Sequence, residues 1–175
     1  MSHAKNKVEW CLRKAENELK ESKNHRGLAR IKPDLKKAKE FISKAEHYLK
    51  ATEYLKKGQF SDVSASTVFY SVYHSLLAIA AKFGYESRNQ ECTFALIHYL
   101  IEEGNVDFNK TLLNKIASIE PKNNEETSVD IRERYQYGTE FKMDEELYNQ
   151  IVKDAKQVIV ITREIIGKSR FLKLL

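Results

Sequence analysis

The stretch "VSASTVFYSVYHSLLAIAA", residues 63–81, carries no Asp, Glu, Lys or Arg over 19 positions. Its length is near that of a bilayer span. Yet Ser64, Ser66, Thr67, Tyr70, Ser71, Tyr73, His74 and Ser75 make it too polar for lipid, and no membrane partner is expected. A helix buried on most sides inside a bundle explains it better. Helical spacing gives two apolar faces, one through Val63, Thr67, Tyr70 and Leu77, the other through Phe69, Val72, Leu76, Ile79 and Phe83. Two faces need two covers, so the helix belongs in the middle of a bundle or at a subunit interface, and a homodimer is expected. Ser64, Ser71, Ser75 and Ala78 are small enough to let a neighbouring helix approach closely.

That neighbour precedes it. Pro33 suits a helix start, where its missing N–H costs nothing. Leu35, Ala38, Ile42, Ala45, Leu49 and Thr52 then recur at spacings of 3 and 4, with Phe41, Tyr48 and Leu55 widening the stripe. The helix ends near Gly58, and the short turn "KKGQFSD" predicts antiparallel packing of the pair. Upstream, Val8, Cys11, Leu12, Ala15 and Leu19 predict a helix from about Lys5 to Lys23, with Gly27 as its stop. Downstream, Ser87 and Gln90 have capping-box spacing, predicting a helix over 88–102 that buries Cys92, Ala95, Leu96 and Tyr99. Shorter helices follow over 107–119 (Phe108, Leu112, Leu113, Ile116, Ile119) and 125–136, around the loop "EPKNNEE". The last long helix spans 144–166, through Leu147, Ile151, Ala155, Val158, Ile161 and Ile165. Asp144, Glu145 and Glu146 favour its N-terminus and Gly167 caps it.

The fold class is therefore all-α. An antiparallel bundle of five core helices is expected, with an added N-terminal helix and one short extra. The division is an accessory helix over 1–30, the bundle over 31–167 and a tail over 168–175. Only 6 Gly and 2 Pro in 175 residues are few for a β-sandwich or a Rossmann fold, and 42 % apolar with 31 % charged residues fits one globular domain. Cys11 and Cys92, far apart and inside apolar patterns, read as buried free thiols in a reducing compartment. No CxxC, HExxH or His/Cys cluster suggests a metal, and no Gly-rich phosphate loop suggests a cofactor. The N-terminus has no apolar signal region, so the cytoplasm is expected.

Charge is uneven. Residues 1–57 hold 16 Lys/Arg against 8 Asp/Glu, while residues 58–167 hold 11 against 17. Basic density peaks in "HRGLARIKPDLKKAK", residues 25–39, with Arg26, Arg30, Lys32, Lys36 and Lys37. This is either a patch for nucleic acid or an acidic partner, or a solvated lysine-rich helix face.

The densest cluster of chemistry-bearing side chains is "SVDIRERYQYGTEF", residues 128–141. Arg132 and Arg134 are candidate phosphate grips, with Tyr137 as a ligand contact. The plainer reading is ion pairs to Asp130, Glu133, Glu125 or Glu126, with Tyr135 and Tyr137 packing a helix end. Two arginines two apart point to different sides of a helix. His74 is either a satisfied core histidine or a proton-transfer group brought near Arg132. His98 is less suggestive, and His3, His25 and His47 read as solvent-facing.

Three stretches resemble the HEPN family. They are "DLKKAKEFISKAEHYLKATEYLKKGQFSDVSAST", the aromatic-aromatic-small-x-aromatic-His pattern in "FYSVYHSLLAIAAKFGY", and "SVDIRERYQYG" before a last long helix. Together they span about residues 33–167. The resemblance implies an antiparallel helical bundle that forms two-fold dimers and is often encoded beside a minimal nucleotidyltransferase as toxin and antitoxin. The catalytic subset of the family cleaves RNA with an arginine followed, after four to six residues, by a histidine. There Arg holds the scissile phosphate and His transfers a proton. Arg132 fits the arginine position, but the permitted histidine positions hold Tyr137, Gly138 and Thr139. A tyrosine near its reference pKa of about 10 is a poor proton carrier at neutral pH. The expectation is a nucleotide- or RNA-binding or nucleotidyltransferase-partner module without the usual ribonuclease activity. Two alternatives stand beside it: a divergent metal-independent ribonuclease using Arg132 with Tyr137 or His74, and a purely structural interaction module.

Overall fold

The structure is a computed structural model that describes residues 2–117 and 126–168. Its central pair is α2 (Leu35–Lys57) and α3 (Ser61–Lys82), antiparallel across the three-residue turn Gly58, Gln59 and Phe60. Along the seam Ala38, Ala45 and Thr52 of α2 recur every seven residues, as do Ser64, Ser71 and Ala78 of α3, and all six have essentially no exposure. Ser71 Oγ donates to Ala45 O at 2.8 Å and Ser64 Oγ to Thr52 O at 3.4 Å, while Ala38 and Ala78 share one apolar cluster. Side chains this small let two helix backbones approach until a hydroxyl of one reaches a carbonyl of the other. The seam also holds a Thr52–Thr67 hydroxyl contact at 2.8 Å.

The other faces of α3 are covered by later elements. Phe69, Val72, Leu76 and Ile79 lie in the main core with residues of α4 (Gln90–Glu102), α5 (Lys110–Ile116), α6 (Ser128–Tyr137) and α7 (Glu145–Gly167). α7 lies along α2 and α3, burying Ile151, Ala155, Val158, Thr162 and Ile165. Arg163–Glu46 and Lys156–Glu53 ion pairs tie its outer side to α2. The buried ammonium of Lys82 donates to the carbonyls of Ile165, Ile166 and Lys168, so the end of α3 caps the end of α7. α3 is long and apolar enough to cross a membrane by length and composition, but 67 % of its most apolar window is buried inside the bundle.

Seven helices are present among the described residues, and the all-α class holds. One short feature lies outside that expectation: β1 (Leu28–Arg30) pairs antiparallel with β2 (Tyr85–Ser87). Three-residue strands are too short to show alternation in sequence. Gly27 is not the stop of the first helix. α1 (His3–Glu21) ends on Ser22, and Gly27 opens the ribbon by pressing on α1: a Cβ there would stand 2.5 Å from Cys11 O and 3.0 Å from Ala15 N. Gly84, at φ +81°, allows the equally close passage of Ile31 O, which a Cβ would meet at 2.8 Å.

Several local expectations need correction. α4 is capped not by a Ser87–Gln90 box but by Asn89, whose side chain accepts from Cys92 N–H, because Ser87 is held in β2 and bonds Thr93. The box instead stands at α6, where Thr127 and Asp130 cap each other's N–H groups. α5 is shorter than expected and begins after Asn109, whose side chain caps it. His25 is buried rather than solvent-facing, 3.4 Å from Glu86. Val63 is 45 % exposed, and Thr67, Tyr70 and His74 on its face are half-buried, so this second face of α3 is only partly covered within one chain. Ile119, most of the loop "EPKNNEE" and all but the first residue of the tail from 168 lie outside the described residues.

The largest correction concerns the cysteines. They are not free thiols: Cys11 of α1 and Cys92 of α4 are joined in a disulfide, with Cα atoms 5.8 Å apart and a sequence separation of 81. Each is buried, as its apolar pattern predicts, but a separation that long hides that two apolar stripes meet. Val8 and Cys11 join α1 to the main core with α4 while Ala15 packs against Gly27, and the bond fastens this first helix to the bundle.

Two outcomes follow from this packing. A loop of 81 residues closed by a disulfide corresponds to about 4.5 kcal/mol of chain entropy. The Cys11→Ala/Cys92→Ala protein should therefore melt on the order of 10 °C lower by circular dichroism, and an unchanged melting temperature would remove the bond's stabilising role. Ala45→Leu places three extra carbons in a seam with no free space. It should cost about 1–3 kcal/mol in urea unfolding, whereas the same change at the exposed Lys50 should leave the midpoint nearly unmoved.

Candidate functional site

α6 begins at its Thr127–Asp130 capping box and turns Ile131, Arg132 and Tyr135 inward onto the bundle. An arginine on an inward face is unusual, and its partners show what holds it there. Arg132 is 8 % exposed, and its guanidinium lies over the Phe69 ring of α3, 4.7 Å from the centroid. The aromatic face offsets part of the cost of taking the cation out of water. One terminal nitrogen donates to Glu133 Oε1 at 3.0 Å, while the buried Nε–H has no hydrogen-bond acceptor among the described residues. Glu133 is half-exposed on the solvent side. The guanidinium is therefore fixed in position by packing, and its one carboxylate among the described residues is a neighbour that a rotamer change can withdraw.

Arg134 and Tyr137 lie on another side of α6. Arg134 pairs with Glu126 at 3.3 Å and lies over the Tyr135 ring at 5.0 Å. Tyr137 is 76 % exposed, in the last turn before Gly138. Helix-end packing falls to Tyr135, which is buried, and not to Tyr137. Of the expected trio, the fold does not converge Arg132, Arg134 and Tyr137 on one point within a single chain. The plainer ion-pair reading holds for both arginines, with Glu133 and Glu126 as partners.

His74 stands apart from Arg132, and no hydrogen bond or ion pair joins them. Its ring stacks on Tyr48 at 5.3 Å and Phe41 at 5.9 Å, both from α2, and meets Tyr73 at 6.3 Å. Phe69 stacks on Tyr73 at 6.1 Å, so an aromatic row, and no proton path, connects the two residues. Its Nδ1 is buried without a partner, so the satisfied core histidine is not what is found either. Burial, with the Lys44 ammonium adding to it, holds the His74 pKa below its ordinary 6.5. The imidazole is therefore neutral at pH 7.

The basic residues gather where the β-ribbon meets the start of α2. Arg26, Arg30, Lys32 and Lys36 are exposed, and Lys37 is half-buried. Glu86 of β2 takes Lys37 at 3.5 Å and Arg88 at 2.8 Å. Partial burial works against the Glu86 carboxylate, but Arg88's hydrogen bond and charge, with Lys37's, hold its pKa below the usual range. The sequence marks Glu133 as an ion-pair partner and Phe69 as an apolar face of α3, but not Phe69 as the ring under Arg132, nor Glu86. Phe69 and Glu133 act only through Arg132, and Glu86 only through a ribbon too short to predict. Among the described residues no three His, Cys, Asp or Glu side chains gather as a metal site.

The description of the family model that matches this chain is HEPN domain, and the match covers residues 38–165, well over half of the sequence. No curated protein matches.

The His74 environment has a pH consequence. A histidine whose pKa is depressed on folding binds its proton better when unfolded, so stability is full above about 6.5 and declines as pH falls through the folded value. His74→Gln should flatten the dependence of melting temperature on pH between about 7 and 5. Parallel curves for the two proteins would show that His74 contributes nothing to it.

Proposed function

Because this chain belongs to the HEPN family, we propose that it is a nucleotide- or RNA-binding module that works as a homodimer and lacks the ribonuclease step. HEPN domains are generally associated with nucleotides and RNA. The observation that carries the finer reading is Arg132: a guanidinium buried on Phe69, held by one half-exposed carboxylate, just before the last long helix. A phosphate oxygen can replace Glu133 on that guanidinium in a charge-assisted hydrogen bond. Proton transfer is the part without support. The first permitted histidine position, after four intervening residues from Arg132, holds the exposed Tyr137, and His74 is stacked among Phe41, Tyr48 and Tyr73. With an anion grip and no proton carrier, binding is favoured over cleavage.

Dimerisation is supported by the uncovered stripe on α3. Val63, Ser66, Thr67, Tyr70 and His74 form one uncharged, part-exposed face, with Tyr48 and Phe41 of α2 beside it. A second copy supplies an uncharged surface to match. A minimal nucleotidyltransferase as a further partner, in a toxin–antitoxin pair, is the association the family resemblance implies.

Fluorescence anisotropy with a labelled oligoribonucleotide and with ATP tests the reading. Arg132→Ala should weaken binding about tenfold or more, the scale of one lost charged hydrogen bond, and Arg132→Lys should recover part of it while thermal melts confirm folding. Incubation with total RNA should leave the RNA intact. Cleavage by the parent protein that Arg132→Ala abolishes would replace this reading with the divergent ribonuclease. Absence of any RNA or nucleotide binding, with a monomer by light scattering, would leave the structural module.

A further inference from the structure

The surplus of positive charge at the ribbon has no structural use. Chain segment 26–34 is rigidly placed: Ile31 N–H donates to Gly84 O at 2.9 Å, Asp34 N–H to Ala81 O at 3.0 Å, and Arg88 N–H to Gly27 O at 3.1 Å. The backbone is thereby pinned to the far end of α3, and its charged side chains are presented outward. Three carboxylates reach this region and all are engaged, Glu18 by accepting from Arg26 N–H. Asp34 caps α2 by accepting from Lys37 N–H, and Glu86 is shared among His25, Lys37 and Arg88. Lys36 has only the edge of Glu40, at 4.0 Å. Arg26, Arg30 and Lys32 form no ion pair with any described residue. Three exposed cations without an ion pair among the described residues, flanked by Lys36, leave this surface with a positive charge that attracts a polyanion.

The surface around these cations selects the ligand. Leu28 is fully buried, Ala29 and Ile31 are half-buried, and Leu35 is the one well-exposed large apolar side chain of the segment. A protein partner is expected to find an apolar centre with a polar rim, and a lipid surface needs an amphipathic apolar face. Neither is present. A regularly charged polymer needs only fixed cations, with affinity gained by releasing its counterions.

We propose that the β1–β2 ribbon and the first turn of α2, through Arg26, Arg30, Lys32 and Lys36, bind the phosphate backbone of RNA at a second site. This rests on the reading of the chain as an RNA-binding module and adds a contact that precedes the family-matched segment 38–165. The ribbon lies beyond the C-terminal end of α3, and Arg132 packs near Phe69, so the two sites are about 20 Å apart along that helix. Contacts to phosphate fix a strand's position without reading its sequence.

Anisotropy of labelled oligouridylate over a salt series tests this with the full chain. The triple variant Arg26→Gln/Arg30→Gln/Lys32→Gln should bind about tenfold or more weakly at low salt, and the slope of log affinity against log salt should fall by about 2. A control with equal charge loss elsewhere, Lys50→Gln/Lys115→Gln/Lys153→Gln, should keep the parent slope. If ribbon and control variants behave alike, or the parent shows no salt-dependent binding, the proposal is wrong. Arg132→Ala separates the two sites. Loss there with an unchanged ribbon variant refutes the ribbon and leaves the Arg132 reading standing; the converse keeps the ribbon and removes Arg132. Polyglutamate that binds the parent as tightly as oligouridylate, and loses affinity in the ribbon variant, would make the surface a dock for acidic protein and overturn the assignment.

Discussion

The α2–α3 seam is the constraint on which the rest of the molecule depends. Six small, fully buried residues, spaced by seven on each helix, let the two backbones come close enough for Ser71 to bond Ala45 O. That proximity fixes the rotation of α3. With one side committed to α2, its large apolar residues Phe69, Val72, Leu76 and Ile79 must face the remaining helices, and α4, α6 and α7 pack against them. The same rotation sets the Tyr70–His74 edge beside Tyr48 and Phe41, leaving an uncharged strip in partial contact with water. Core and unfinished surface are thus two results of one close approach.

Arg132 shows how a bundle of apolar helices accommodates one cation. Burying a guanidinium is costly unless it is paired or bonded. The aromatic face of Phe69 and one bond to Glu133 meet only part of that need, and Nε–H has no acceptor among the described residues. An unspent buried donor costs about 1–3 kcal/mol, and a fold carries such a cost more readily where a ligand recovers it. Arg134, on the outer side with Glu126, carries no such cost and has the character of an ordinary surface pair.

The first thirty residues are joined to the bundle by means unlike those inside it. α1 is held by Val8 in the main core, by Ala15 against Gly27 and by the Cys11–Cys92 disulfide, and β1 is held by backbone bonds to β2 and to the end of α3. Glycines at 27 and 84 are needed where backbones press on backbones. This attachment turns a lysine- and arginine-rich segment from a flexible arm into a fixed charged surface.

The sequence by itself determined the helices, because each carries an apolar period long enough to count. It determined the close α2–α3 packing from the small residues of 63–81, and the family from the order of the elements. It located Arg132 and showed that no histidine follows it. Tertiary structure alone decided which side of each helix a residue's partner lies on. Periodicity says that Arg132 and Arg134 diverge, but only the placement of α6 on α3 says that Arg132 faces in, onto Phe69, and Arg134 out. Two cysteines 81 positions apart became one bond for the same reason. Local sequence encodes the period of an element, whereas pairing across long separations depends on how the faces of several elements meet.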